Sequence, residues 1–292
     1  MQRTNLVRVM LLTLSMSGLA FAQRREDSRR DDARIEEVKT SFKVRSDTPF
    51  QLRVDVDAGE VRVTKGKSRD EIRVGLAYNK NQFSHSFRFN ETRNALEVQF
   101  DKEGWFDHER ERTLAEIDIE LPTEGDLQLD FKIKAGEINM ELGGLHLIDF
   151  ALETLAGEVN LDFDEPNLAE LASLTLNTKV GESKFRRLGN ARFRDADING
   201  GIGELTIDFS GAMAKDAVAR VDLDIGETVI VLPREAGTKL SISKFLFLSN
   251  VELPFELHKD GRYYYSENYE RADRTFQLRL SSGVGECRVE LQ

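Results

Sequence analysis

Seven glutamates in this 292-residue chain stand directly after a glycine: Gly59-Glu60, Gly136-Glu137, Gly157-Glu158, Gly181-Glu182, Gly203-Glu204, Gly226-Glu227 and Gly285-Glu286. The residue before each glycine is Ala, Val or Ile. If the repeats stack in register, Glu137, Glu158, Glu182, Glu204 and Glu227 form a column of carboxylates about 4.8 Å apart. Neighbours at that spacing repel by about 0.9 kcal/mol even at the dielectric of water. Such a column calls for compensation, either from cations such as Lys134, Lys179 and Lys184 or from a bound Ca²⁺. The plainer reading is solvated charge that keeps a sheet edge soluble, and both stay open from the residues alone.

Other candidates carry less. Asp107-His108-Glu109 and the remaining histidines, His85, His146 and His258, fall in no metal-ligand spacing, so no metal site is expected. Cys287 occupies the position filled by Val159 and Leu205 in other repeats, which suits a small buried hydrophobe better than a nucleophile. The repeat glycines are isolated between strand patterns with no helix following, which is not a phosphate loop. Trp105 and Phe106, and the run Tyr263-Tyr264-Tyr265, are the clustered aromatics; they suit a sugar- or protein-binding platform or the packed end of a repeat stack. Acidic pairs for glycoside hydrolysis need convergence in space, and 52 Asp+Glu give no guide to it. No catalytic residue and no cofactor is expected.

The elements that would carry these residues follow from the period. From Gly136 through Gly157, Gly181 and Gly203 to Gly226 the repeat glycines are almost evenly spaced, whereas Gly59 and Gly285 stand several repeat lengths away. Around them apolar positions alternate, as in Ile138/Met140, Val159/Leu161 and Leu205/Ile207 after the glycine and Phe131/Ile133, Leu174/Leu176 and Val221/Leu223 before it. A period of two means strands. Each unit of about 22 residues therefore reads as strand, glycine corner, strand and return loop. One unit cannot bury its own apolar face, so the units must stack. The expected fold is all-β, an elongated β-solenoid with capped ends. Phe50–Val56, Glu71–Val74, Phe87–Phe89, Leu96–Phe100 and Ile117–Leu121 add an N-terminal strand-rich section. Asp101 to Arg112 reads as a charged loop, and Ser243 to Arg274 as a cap over the last coil.

The N-terminus reads as an address. Arg3 and Arg8 precede Val9-Met10-Leu11-Leu12-Thr13-Leu14, and small residues lead to Ala20-Phe21-Ala22. That order is a secretory signal peptide, and its apolar stretch is too short for a spanning helix of about 20 residues. The expected organisation is a signal peptide at 1–22, a charged disordered arm at 23–38, the N-terminal β section at 39–120, and the solenoid with its C-terminal cap at 121–292. After processing, 39 Lys+Arg face 52 Asp+Glu, a net charge of −13. Nucleic acid and anionic lipid would be repelled by such a surface, so neutral glycan or an envelope protein is the expected partner. A single cysteine allows no internal disulfide in an exported chain.

The Gly-Glu repeats, the segment Leu232-Pro233-Arg234-Glu235-Ala236-Gly237, and Tyr265-Ser266-Glu267-Asn268-Tyr269 ahead of Phe276 to Gly285 resemble the bacterial toast-rack family. That group comprises adhesin-like proteins and the C-terminal domain of LiaF-type cell-wall-active antibiotic response proteins. The resemblance runs from about Leu121 to Gln292, with a looser match from Phe42 to Phe100. It implies a stacked β fold and a non-enzymatic interaction module in the bacterial periplasm or at the cell surface. A sensor or modulator of envelope stress is the alternative, and a glycan-active enzyme a distant one. LiaF-type proteins carry membrane helices before this domain, whereas here a signal peptide stands instead.

Overall fold

The computed structural model describes residues 35–103, 114–244 and 249–292. In chain order the strands are β1 (Ile35–Lys43), β2 (Phe50–Val56), β3 (Gly59–Lys65), β4 (Glu71–Asn79), β5 (Phe83–Asn90), β6 (Ala95–Lys102), β7 (Ala115–Leu121) and β8 (Leu127–Glu141). They continue with β9 (Leu147–Asp162), β10 (Leu171–Arg186), β11 (Phe193–Asp208), β12 (Asp216–Leu232), β13 (Gly237–Lys244) and β14 (Ser249–Glu252). The last are β15 (Leu257–Asp260), β16 (Tyr263–Ser266), β17 (Thr275–Ser282) and β18 (Val284–Leu291). Residues 1–22, read from the sequence as a signal peptide, residues 23–34 of the expected arm, Trp105, Phe106, Asp107-His108-Glu109 and Phe245 to Leu248 lie outside the described residues.

Strands β8 to β12 are 15 to 17 residues long and turn at their central glycine, so each is one rung with two legs. They stack parallel in sequence order, every Gly-Glu in register with the next. Alternation places Phe131, Ile133, Ile138 and Met140 inside one rung and Leu174, Leu176 and Phe185 inside another, all buried. The return segments add Leu142, Leu145, Phe163, Leu188, Phe209 and Met213 to the same core. Two buried asparagines replace strand pairing there. The Asn167 side chain accepts from the Leu147 N–H and donates to the Leu147 and Ala169 carbonyls, while Asn190 donates to the Phe163 carbonyl and accepts from the Ala212 N–H. Irregular backbone is thus kept hydrogen-bonded inside the stack.

Both ends of the solenoid depart from sequence order. Strands β2 and β3 lie between β8 on one side and β6–β7 on the other. Strands β17 and β18 lie between β12 and the pair β13–β14. The first and last two-legged rungs of the sequence are therefore one position in from the edge of the stack. The intervening chain forms the outer rung and the antiparallel pieces that border it: β4 pairs with β1 and β7, β5 with β6, and β16 with β13 and β15.

Four expectations change in detail. The stretch 35–38, assigned by its charge to the arm, belongs to β1, where Val38 and Phe42 pack on the core. Asp101 and Lys102 belong to β6 rather than to the loop after it. The region from Ser243 to Arg274 does not merely cover the last coil; with β13 it supplies a rung beyond it. One hydrogen-bonded sheet also runs across position 120/121, because β2 pairs with β6 and β8 alike.

Candidate functional site

The Gly-Glu corner is a continuous column. Gly59, Gly136, Gly157, Gly181, Gly203, Gly226 and Gly285 follow one another in register, each with φ between 131° and 154°. The glutamates beside them are at the surface, and several are held by the side chain two residues on. Arg62 donates to Glu60, Asn139 to Glu137, Asn160 to Glu158, and Lys184 forms an ion pair with Glu182. Lys134, expected near the column, instead donates to Asp57 at 2.5 Å. Among the described residues no group of three or more His, Cys, Asp or Glu is arranged to hold a metal ion. Glu60, Glu137, Glu158 and Glu182 are thus locally satisfied, and Glu204, Glu227 and Glu286 continue the column in register.

Cys287 is buried, in register with Thr228 and Val251. The His85 ring shares a 2.8 Å hydrogen bond with the Tyr78 hydroxyl. His258 lies against Tyr265.

The tyrosine run is divided by the pleat. Tyr264 is opposite Leu240, which is fully buried, and packs against the core. Tyr263 and Tyr265 are opposite Ser241 and Lys239 on the outer face. There the Lys239 ammonium lies 4.2 Å from the Tyr263 ring centre, and the Arg262 guanidinium carbon 4.8 Å from it on its own approach. Arg262 also donates to the Tyr263 hydroxyl. Tyr265 meets Tyr263 at 6.2 Å and Tyr269 at 4.9 Å, both edge-on.

Register extends this cluster across the sheet. Tyr263 is opposite Ser241, Ser241 is opposite Arg279, and Arg279 is opposite Arg220, one row over four strands. The row lines an open groove together with Arg262 and Asp222. Elsewhere on the outer faces, a cation is opposite a carboxylate in register and pairs with it: Arg53 with Asp130, Arg62 with Asp118, Arg73 with Glu120, Arg88 with Glu97, Lys132 with Glu153. The β12–β17 contact alone among these sets arginine against arginine. Asp197 flanks Arg220 on β11, yet none of Arg220, Arg279, Arg262 and Lys239 makes an ion pair among the described residues. Like charges directly opposite each other destabilise a sheet.

The arginine hydrogen bond, helped by the charges of Arg262, Lys239 and Arg279, holds the Tyr263 phenol below the usual tyrosine range. In a spectroscopic titration, the difference between the wild type and Y263F should therefore report a phenolate formed at lower pH than the ordinary tyrosine value. R262Q should move that transition up. A Tyr263 transition at or above the ordinary value would contradict the cluster.

Sequence reasoning found the tyrosines but not Arg220, Arg279 and Lys239. These three stand on three different strands, and the inserted position of β17 sets Arg279 between Arg220 and Ser241, with Lys239 two residues along β13 from that row. The one signal in the sequence was that Arg220 and Arg279 occupy polar positions within alternating strands.

A stacked, glycine-cornered β-solenoid in which each rung contacts chiefly its neighbours belongs to the class of β repeat proteins. The chain is a member of the toast_rack family: residues 26–172 match the model for the N-terminal domain of toast_rack. That match includes Phe42 to Phe100, where the resemblance was expected to be looser, and runs on into the region after Leu121. No curated protein matches the sequence. Among solved structures, the fold is similar to a "putative cell adhesion protein" from Clostridium sporogenes at 13% identity and a TM-score of 0.45, covering 88% of this chain and 100% of that one. It is also similar to a "putative adhesin" from Bacteroides fragilis at 13% identity and a TM-score of 0.41, covering 87% and 97%. A "putative lipid binding protein" from Parabacteroides distasonis aligns at 10% identity and a TM-score of 0.25, over 87% and 97%.

Proposed function

We propose that this is an exported, non-enzymatic binding module of the bacterial cell envelope, taking an envelope protein or glycan on the outer sheet face around Tyr263. The observation that carries the reading is the division of the tyrosine run: Tyr264 is used for packing, whereas Tyr263 and Tyr265 are presented outward beside Lys239 and Arg262. Half-buried aromatics with polar tips offer contact area at low entropic cost, which suits a recognition surface. A non-enzymatic role fits Glu137, Glu158 and Glu182 of the corner column, each of which is engaged with a neighbouring side chain at the surface. Export rests on the three-part N-terminus. No helix among the described residues is long and apolar enough to cross a membrane.

Two measurements on one preparation test this. Protein recovered from the envelope fraction should have the mass of a chain beginning at Gln23, and a full-length cytoplasmic species would overturn export. Y263A should lose retention on isolated envelopes at an unchanged melting temperature. Y264A should instead lower stability by about 2 kcal/mol, because it empties a site packed on the core. If Y263A stays fully retained, the outer face is not the binding surface.

A further inference from the structure

Within the binding-module reading, on which this inference rests, we propose that the groove formed by Arg220, Arg279, Arg262 and Tyr263, with Lys239 beside the Tyr263 ring, is a site for an anionic glycan, a sugar polymer bearing carboxylate or sulfate groups. The argument begins with what the site lacks. The chain has eleven more acidic than basic residues, and registered cation–carboxylate pairs recur along its outer faces. At the β12–β17 contact the registered residues are Arg220 and Arg279, and none of the four cations makes an ion pair among the described residues. Asp197 is opposite Arg220 on its other side, but Arg279 has only Arg220 and Ser241 opposite it, and two opposed arginines cost stability. An anionic ligand removes that cost, and a guanidinium fork suits a carboxylate or sulfate bidentately.

The other components select a sugar. Tyr263 stands at the end of the same row, with Lys239 and Arg262 over its ring, so cationic donors held on an aromatic ring are presented beside the row. Ser241 lies between Arg279 and Tyr263 and adds a hydroxyl to the row. Asp222, also lining the groove, is an acceptor for sugar hydroxyls, which a phosphate backbone does not offer in number. The whole-chain charge points to neutral ligands, but over an elongated stack it is screened beyond about 8 Å in physiological salt, so the local row governs what docks.

The test uses the mature full chain and defined probes. Polygalacturonate and heparin carry carboxylate and sulfate sugars, dextran is the neutral comparator, and duplex DNA the phosphate one. The wild type should bind the two acidic glycans in preference to dextran and DNA, and more weakly as salt rises. R220S/R279S should reduce that affinity about tenfold or more, since each charge-assisted contact carries on the order of tenfold. Its melting temperature should be equal or higher, because an uncompensated like-charge pair is removed. R53S, at the far end of the stack, should bind like the wild type. Equal binding of dextran, tighter binding of DNA, or unchanged affinity in R220S/R279S would each overturn the inference. Retention on envelopes that persists in R220S/R279S while Y263A abolishes it would overturn the anionic ligand alone, whereas loss of retention in neither variant removes the binding-face reading itself.

Discussion

Gly157→Val, and Gly157→Ala nearly as severely, should abolish cooperative folding. A β-carbon added at Gly157 would lie 1.9 Å from the carbonyl oxygen of Gly136 on the preceding rung, well inside contact distance. The same approach recurs one rung on, where Gly181 meets the carbonyl oxygen of Gly157. Relief needs the rungs to move apart at the corner, and that breaks parallel hydrogen bonds on both sides of it. The backbone at φ 142° adds its own strain for any residue with a side chain. A combined cost above about 5 kcal/mol is comparable to the whole stability of an ordinary domain. Circular dichroism and thermal melting check it. Gly261→Ala is the internal comparison: that residue has φ 58° and nothing within 4 Å, so only about 1 kcal/mol of left-handed strain is expected. If Gly157→Ala melts like Gly261→Ala, the column is not what sets the rung spacing.

Phe276→Ala should be the most costly of single side-chain truncations in the C-terminal core, at about 3–5 kcal/mol and on the order of 10 °C in melting temperature. Phe276 is fully buried on β17, 4.8 Å from the ring of Phe209 and 6.4 Å from that of Phe193. Its backbone pairs with Ala217 on β12 and with Thr238 on β13, so it is covered on both sides. A residue on an outermost rung would have one covered side, and its truncation would cost about half as much. Hydrogen exchange on the variant should show β13, β14, β17 and β18 opening before β8 to β11, since each rung is stabilised chiefly by its neighbours. Early opening of β13 and β14 alone, with β17 still protected, would contradict the inserted position of the closing rung.

How far the sequence reached depended on whether the relevant contact was local in register or distant in topology. The alternation around the evenly spaced glycines from Gly136 to Gly226 determined strands, their inward faces, the glycine corners and the stack itself. That is physically sufficient because consecutive rungs are consecutive in sequence, and period two leaves no choice of face. It also gave Phe50–Val56, Leu96–Phe100 and Ile117–Leu121 as strands. It missed β1, whose charged N-terminal residues hide the packing of Val38 and Phe42, because an edge strand with little buried surface shows little hydrophobic period.

The order of rungs at the two ends was a tertiary decision. Nothing local states that β2–β3 should enter between β6–β7 and β8, or that β17–β18 should enter between β12 and β13–β14. Those placements follow from which apolar faces remain uncovered once the central rungs have stacked, a property of the whole sheet. The candidate site inherits that dependence. Tyr263 was legible as an aromatic in a run, but the sequence does not divide Tyr264 inward from Tyr263 and Tyr265 outward without the pairing of β16 to β13. Arg220 and Arg279, far apart in the chain, became neighbours only because the last strands close the stack from within.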